Sequence, residues 1–143
     1  MTDARGLPLA VELTAGQAQE CKHFDEVLDA VRIPRQAGRP RQRPDALAGD
    51  KGYSYNHVRR WLRRHRIRAV IPQRIDQLRT HKGRPLKFDR VQYRRRNVIE
   101  RAVAWLKERR RIATRFEKLA QHYLAMLHIA MVEMYLTRFS NTP

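Results

Sequence analysis

Lysine and arginine outnumber aspartate and glutamate 31 to 14 in this chain of 143 residues, a formal charge of +17. Charge of that size repels itself, so the chain stays compact only where something negative accepts it, and nucleic acid is the first candidate. Arginine dominates, and its planar fork suits phosphate oxygens better than the point charge of lysine. Hydrophobic residues, 42% of the chain, are enough for the core of one domain of this length, which argues against wholesale disorder. The single cysteine, Cys21, can form neither an internal disulfide nor a cysteine-rich zinc site, which points to a reducing, cytoplasmic setting. The first residues lack a basic segment followed by an apolar run. The longest apolar stretch, Leu119 to Leu136, is interrupted by Gln121, His122, His128 and Glu133, so neither a secretory signal nor a membrane span is expected.

Hydrophobic periodicity gives an alternating α/β order. Leu7, Leu9, Val11 and Leu13 recur at period two and predict a half-buried strand. Phe24, Val27, Leu28 and Val31 mark a short amphipathic helix closed by Pro34. Three prolines, a glycine and four arginines between Pro34 and Pro44 predict an exposed basic loop, over about 34–45. Ala46 to Ala48 reads as a buried strand stopping at Gly49-Asp50. Ser54 is placed to cap a helix from about Tyr55 to His65, and Arg68 to Ile71 forms the next strand. Strand, helix and strand at this spacing imply parallel pairing with a right-handed crossover. Gln73 to Lys87 is expected to be a second basic loop. Arg90 to Ile112 contains no proline or glycine and predicts one long helix capped by Asp89, followed by another from about Glu117 to Arg138.

Two carboxylates stand out by position. Asp50 follows a short apolar strand, and carboxylates at the ends of parallel strands point into the crevice where open α/β sheets bind ligands. A turn residue bonding its own backbone is the equally common alternative. Glu100 lies mid-helix with Tyr93, Arg96 and Lys107 at relative positions that span an arc of about 60° on a continuous helix, beside the apolar stripe of Ile99, Ala102, Val103 and Leu106. A solvated helix with Glu100 paired to Arg96 and Arg101 is the plainer reading of that spacing. The histidine pairs His57/His65 and His122/His128 do not have the i, i+4 spacing of a helical metal site.

Tyr93, Arg96, Glu100 and Lys107 reproduce the Y-(2)-R-(3)-E-(6)-K signature. With LAGDKGYS at Leu47 to Ser54 and YRRRNVIERAVAWLKERRRIATRFEK at Tyr93 to Lys118, the chain resembles the DDE transposases of bacterial insertion sequences. The segment Ala4 to Gln17 is similar to the strand and turn that precede these regions in the family. The resemblance implies an RNase H-like α/β domain in which two aspartates and a glutamate hold two divalent metals, usually Mg2+. Asp50 corresponds to the second acid and Glu100 to the third. Magnesium prefers hard oxygen ligands, and a metal pair about 3.5–4 Å apart can activate a water or a DNA 3′-hydroxyl and stabilise the leaving oxygen. By the same resemblance Tyr93, Arg96 and Lys107 lie beside the scissile phosphate, and Arg35, Arg39, Arg41, Arg43, Arg74 and Arg84 on the basic loops add phosphate contacts that position DNA without reading its sequence.

One departure from the family pattern carries a consequence. The first catalytic aspartate of the family lies upstream of the segment matching Ala4 to Gln17, and Asp3, at a turn before Gly6, is not a substitute for it. The expected architecture is therefore an incomplete RNase H-like fold lacking its first strands, with two long C-terminal helices. It would be a C-terminal portion of a transposase catalytic domain, inactive alone and completed by an upstream transposase segment or by oligomerisation. A frameshift partner, a truncated relic and a gene model begun at an internal Met1 all fit that expectation. A non-catalytic basic DNA-binding regulator derived from such an element is the alternative.

Overall fold

The computed structural model describes residues 1–17, 20–80, 83 and 86–140. The chain divides into two compact units, one of residues 16–96 and one of residues 1–15 with 97–143.

In the first unit a two-stranded parallel sheet pairs β1 (Ala46–Ala48) with β2 (Arg68–Val70), in the register Ala46 to Arg68, Leu47 to Ala69 and Ala48 to Val70. Between them runs α2 (Asn56–Arg64), the crossover helix that parallel pairing requires. The α2 face carrying Val58 and Leu62 is fully buried. A short helix, α1 (Phe24–Asp29), enters from a 3-10 turn at Glu20–His23. Its Phe24 ring stands edge-on to Trp61 at 5.5 Å and tilted to Tyr53 at 6.2 Å. Among the described residues, Cys21, Phe24, Leu28, Val31, Val58, Leu62, Ile67, Val70 and Ile71 are the buried apolar residues of the unit, with Trp61 and Tyr53 half-buried at its edge. The strand, helix and strand order thus forms as expected, and the architecture is mixed helix and sheet.

Several expected elements differ. Ser54 does not cap α2: Tyr55 occupies the cap position, and the Ser54 hydroxyl is buried without a hydrogen-bond partner among the described residues. The stretch 73–87 is not loop throughout, because Ile75–Thr80 forms α3, held by the Gln77 amide donating to the Ser54 carbonyl at 2.9 Å. The loop at 34–45 is irregular as expected, although an antiparallel bridge between Ile33 and Arg41 closes its base and Gly38 takes φ +83° near its tip.

The long helix expected over 90–112 is three. Helix α4 (Arg90–Arg94) is capped by Asp89, whose carboxylate accepts from the Gln92 amide at 2.9 Å. It ends in tight i to i−3 bonds at Arg95 and Arg96. Absence of proline and glycine removes breakers without guaranteeing continuity. The run Arg94 to Arg96 concentrates like charge, and Asn97 competes with the helix for backbone hydrogen bonds.

The second unit contains α5 (Asn97–Lys107), α6 (Arg110–Ala113) and the 21-residue α7 (Ala120–Ser140). At the break after α5, Arg109 stacks over the Trp105 ring at 3.4 Å, donates to the Trp105 carbonyl at 3.3 Å and forms a two-point ion pair with Glu133 at 2.5 and 3.1 Å. Of the two long C-terminal helices expected, only α7 is long. Ile112, Leu127 and Ala130 form the core, with Val11, Leu13, Trp105, Leu106 and Tyr123 packed on it. The strand expected at Leu7–Leu13 does not form. The segment makes one antiparallel bridge, Thr2 with Pro8; the Leu9 amide also donates to the Met1 carbonyl at 2.9 Å, the Met1 amino group to the Ala10 carbonyl at 2.7 Å, and the Tyr135 hydroxyl to the Pro8 carbonyl at 2.7 Å. Period two predicts extended backbone, and this unit offers the segment no strand to pair with among the described residues. Ile129, Val132, Leu136 and Phe139 line an exposed stripe of α7, and no described helix is long and apolar enough to cross a membrane.

Candidate functional site

At the C-terminal end of β1 the chain passes through Gly49 into Asp50 and a 3-10 turn, Lys51–Tyr53. Asp50 caps that turn. Its Oδ1 accepts from the Gly52 amide at 2.8 Å, while its Oδ2 accepts no hydrogen bond among the described residues, and the residue is exposed. The turn reading of Asp50 is thus what is seen at Oδ1, while Oδ2 lies at the end of a parallel strand with no hydrogen bond among the described residues.

Of the two glycines at this turn, Gly52 has a steric reason. A Cβ on Gly52 would stand 2.9 Å from Asp50 Oδ1, whereas one on Gly49 would meet Tyr53 and Ile71 at 3.4 to 3.5 Å, ordinary contact distances. Sequence reasoning overlooked Gly52 as a determinant of the acid's position. The Asp-x-Gly spacing, an Asx-turn signal, was the available clue.

Glu100 lies in the first turn of α5 and is exposed, as is Lys107 in its last turn. Tyr93 belongs to α4 and Arg96 to the turn after it, so these two and Asp50 fall in the unit 16–96 while Glu100 and Lys107 fall in the other. The single helical face expected for Tyr93, Arg96, Glu100 and Lys107 presupposed an unbroken helix, and α4 and α5 are separate. Tyr93 and Arg96 are brought together, the guanidinium carbon lying 5.7 Å from the ring centroid, with Phe88 on the same ring at 5.2 Å. Among the described residues no group of three or more His, Cys, Asp or Glu side chains gathers as a metal site. By donor chemistry Asp50 fits a hard divalent cation, being an exposed carboxylate with one oxygen open.

Arg35, Arg39, Arg41 and Arg43 surround an open basin of about 660 Å3 on the bridged loop. Arg35, Arg39 and Arg43 are exposed, whereas Arg41 is partly engaged, pairing with Asp45 at 2.8 Å and donating to the Arg43 carbonyl. Arg74 pairs with Asp76 at 3.2 Å and lies 6.0 Å from the centre of the Tyr55 ring. Arg84 lies outside the described residues.

A parallel α/β unit with an exposed acid at a strand end, on a strongly basic chain, is compatible with a DDE transposase domain. Residues 47–137 match the family model described as Transposase DDE domain. The chain is also 37% identical over 131 residues to the transposase given for insertion sequence element IS402 of Burkholderia cepacia, an alignment covering 90% of this chain and 57% of that protein. It thus spans little more than half the length of that curated relative. No solved structure matches. The chain belongs to the DDE transposases of bacterial insertion sequences.

Proposed function

We propose that this chain is the part of a transposase catalytic domain that carries two of its three metal-holding acids, Asp50 and Glu100, within an RNase H-like fold whose first strands lie outside these residues. The observation that carries the reading is Asp50, held by Gly52 at the end of β1 with one oxygen open, within the stretch that matches the family. Asp50 and Glu100 would hold a divalent metal, Mg2+ by family, which when bound supplies Lewis-acid activation of a water or 3′-hydroxyl for phosphodiester cleavage and transfer. Among the described residues the Gly52 amide of its own turn is what holds the Asp50 carboxylate. Tyr93 and Arg96, in contact with each other, and Lys107 meet DNA near the reacting phosphate. Arg35, Arg39, Arg41, Arg43, Arg74 and Arg84 add phosphate contacts, and DNA is the partner together with the segment that completes the site.

The test uses the 143-residue chain itself. It binds duplex DNA with a steep salt dependence and, supplied with Mg2+, does not nick it. Mg2+-dependent nicking that is abolished by Asp50→Asn would show a complete site within these residues and overturn the two-of-three assignment. Absence of binding at about 50 mM salt, where phosphate contacts are strong, would overturn the DNA reading itself.

A further inference from the structure

The stretch 51–75 holds eight lysines and arginines and no carboxylate, and α2 runs through its middle. With Val58 and Leu62 buried, the 3.6-residue repeat places Arg60, Arg63 and Arg64 on the outer side of the helix, where all three are exposed. Arg60 and Arg64 stand at i, i+4, and Arg59 and Arg63 do likewise, the spacing at which like charges weaken a helix. Among the described residues none of Arg60, Arg63 and Arg64 forms an ion pair.

Arg59 is used differently. It donates to the carbonyls of Ile71 at 2.9 Å and Pro72 at 3.2 Å, tying α2 to the end of β2. Burial pushes its guanidinium below its ordinary value, and its partners are carbonyl dipoles rather than a carboxylate. Arg59, Arg63 and Lys87 then line a cleft of about 200 Å3 with Ile67, Ala69 and Leu86. Just past the helix, Arg66 takes φ +58°, so a cation is present even where glycine is the unstrained choice.

We infer that the outer face of α2, with the cleft edge at Arg63 and Lys87, is a second phosphate-backbone contact for duplex DNA, separate from the Arg35–Arg43 loop and from the end of β1 that bears Asp50. The inference rests on the transposase reading above. In a parallel β1-α2-β2 unit the last turn of α2 lies at the end of the sheet opposite Asp50, so Arg63 and Arg64 meet phosphates other than the reacting one. The partner is an anionic backbone and not a lipid surface, because the exposed side of α2 presents Asn56, His57 and arginines with no apolar residue to insert.

Binding of the full chain to a 30-base-pair duplex of arbitrary sequence is measured by fluorescence anisotropy between 50 and 200 mM salt. Each lost phosphate contact removes about 0.9 from the slope of log K against log salt, so the triple variant Arg60→Gln, Arg63→Gln, Arg64→Gln loses about 2 to 3 from its magnitude, and the matching triple lysine variant keeps it. The loop variant Arg35→Gln, Arg39→Gln, Arg43→Gln serves as comparison. An unchanged slope in the α2 variant beside a reduced slope in the loop variant overturns this inference and leaves the transposase reading standing. No binding by the parent chain overturns both. A second measurement needs no variant: phenylglyoxal modification of the parent, mapped by mass, is suppressed by DNA at Arg60, Arg63 and Arg64. Modification of these three that DNA leaves unchanged overturns the inference.

Discussion

Asp50 is aimed by the main chain. Its partner is the Gly52 amide, and a Cβ at 52 would fall 2.9 Å from the bonded oxygen. The obstructed atom is the tip of a short side chain, so Gly52→Ala displaces the carboxylate without unpacking the core. The expected outcome is an unfolding midpoint within about 0.5 kcal/mol of the parent, as for surface changes generally. In a complete enzyme carrying the same change, metal-dependent cleavage falls steeply; a variant with parental cleavage would show that the position of Asp50 is unimportant. Arg109 offers a second case. Its hydrogen bonds and charge hold the Glu133 carboxyl below its ordinary value. A carboxylate so lowered contributes stability that is full above the unfolded value of about 4.3 and is lost as pH falls through the folded value. The urea midpoint of the parent therefore drops more below about pH 4.3 than that of Glu133→Gln, a comparison that cancels the other carboxylates. Parallel pH curves would remove the pair from the account.

Two helices end on an arginine with positive φ, Arg66 after α2 at +58° and Arg115 after α6 at +47°. Both ends close in the same way: the Ile67 amide reaches back to the Leu62 carbonyl and the Phe116 amide to Arg111, while the Arg66 and Arg115 amides bond Arg63 and Ile112. This is the paired-bond ending that ordinarily takes glycine. Left-handed backbone costs a residue with a side chain about 1–2 kcal/mol, partly offset by the extra freedom of glycine in the unfolded chain. Arg66→Gly is therefore expected to be neutral or to stabilise by up to about 1 kcal/mol, read from the urea midpoint, and a clear loss of stability would mean that the Arg66 side chain has a structural role. The same scale shows what was legible in the sequence. Ala46–Ala48, Arg68–Val70 and the Asp89 cap could be read because short apolar runs between turn signals, and an acid three residues before an amide in need of a partner, are local facts. The end of the strand-like pattern at Leu7–Leu13 could not, since pairing depends on a neighbour far along the chain. Nor could the Arg109–Glu133 pair, whose members are 24 residues apart.

At the scale of the whole molecule, charge was the most legible property and the arrangement of the acids the least. Composition alone pointed to a polyanion, and the bridged loop with its arginine-lined basin and the cationic face of α2 give that charge an address. The helical-wheel argument for Glu100 assumed a continuity that the arginine-rich turn between α4 and α5 interrupts, so the reading of Glu100 rests on the family pattern rather than on periodicity. The absence of acid from 51 to 75 has one more consequence. With no carboxylate there, none of its eight lysines and arginines is neutralised from within the stretch. The attraction of this side of the protein for an anion thus answers to the ionic atmosphere, because small cations compete for the anion's surface.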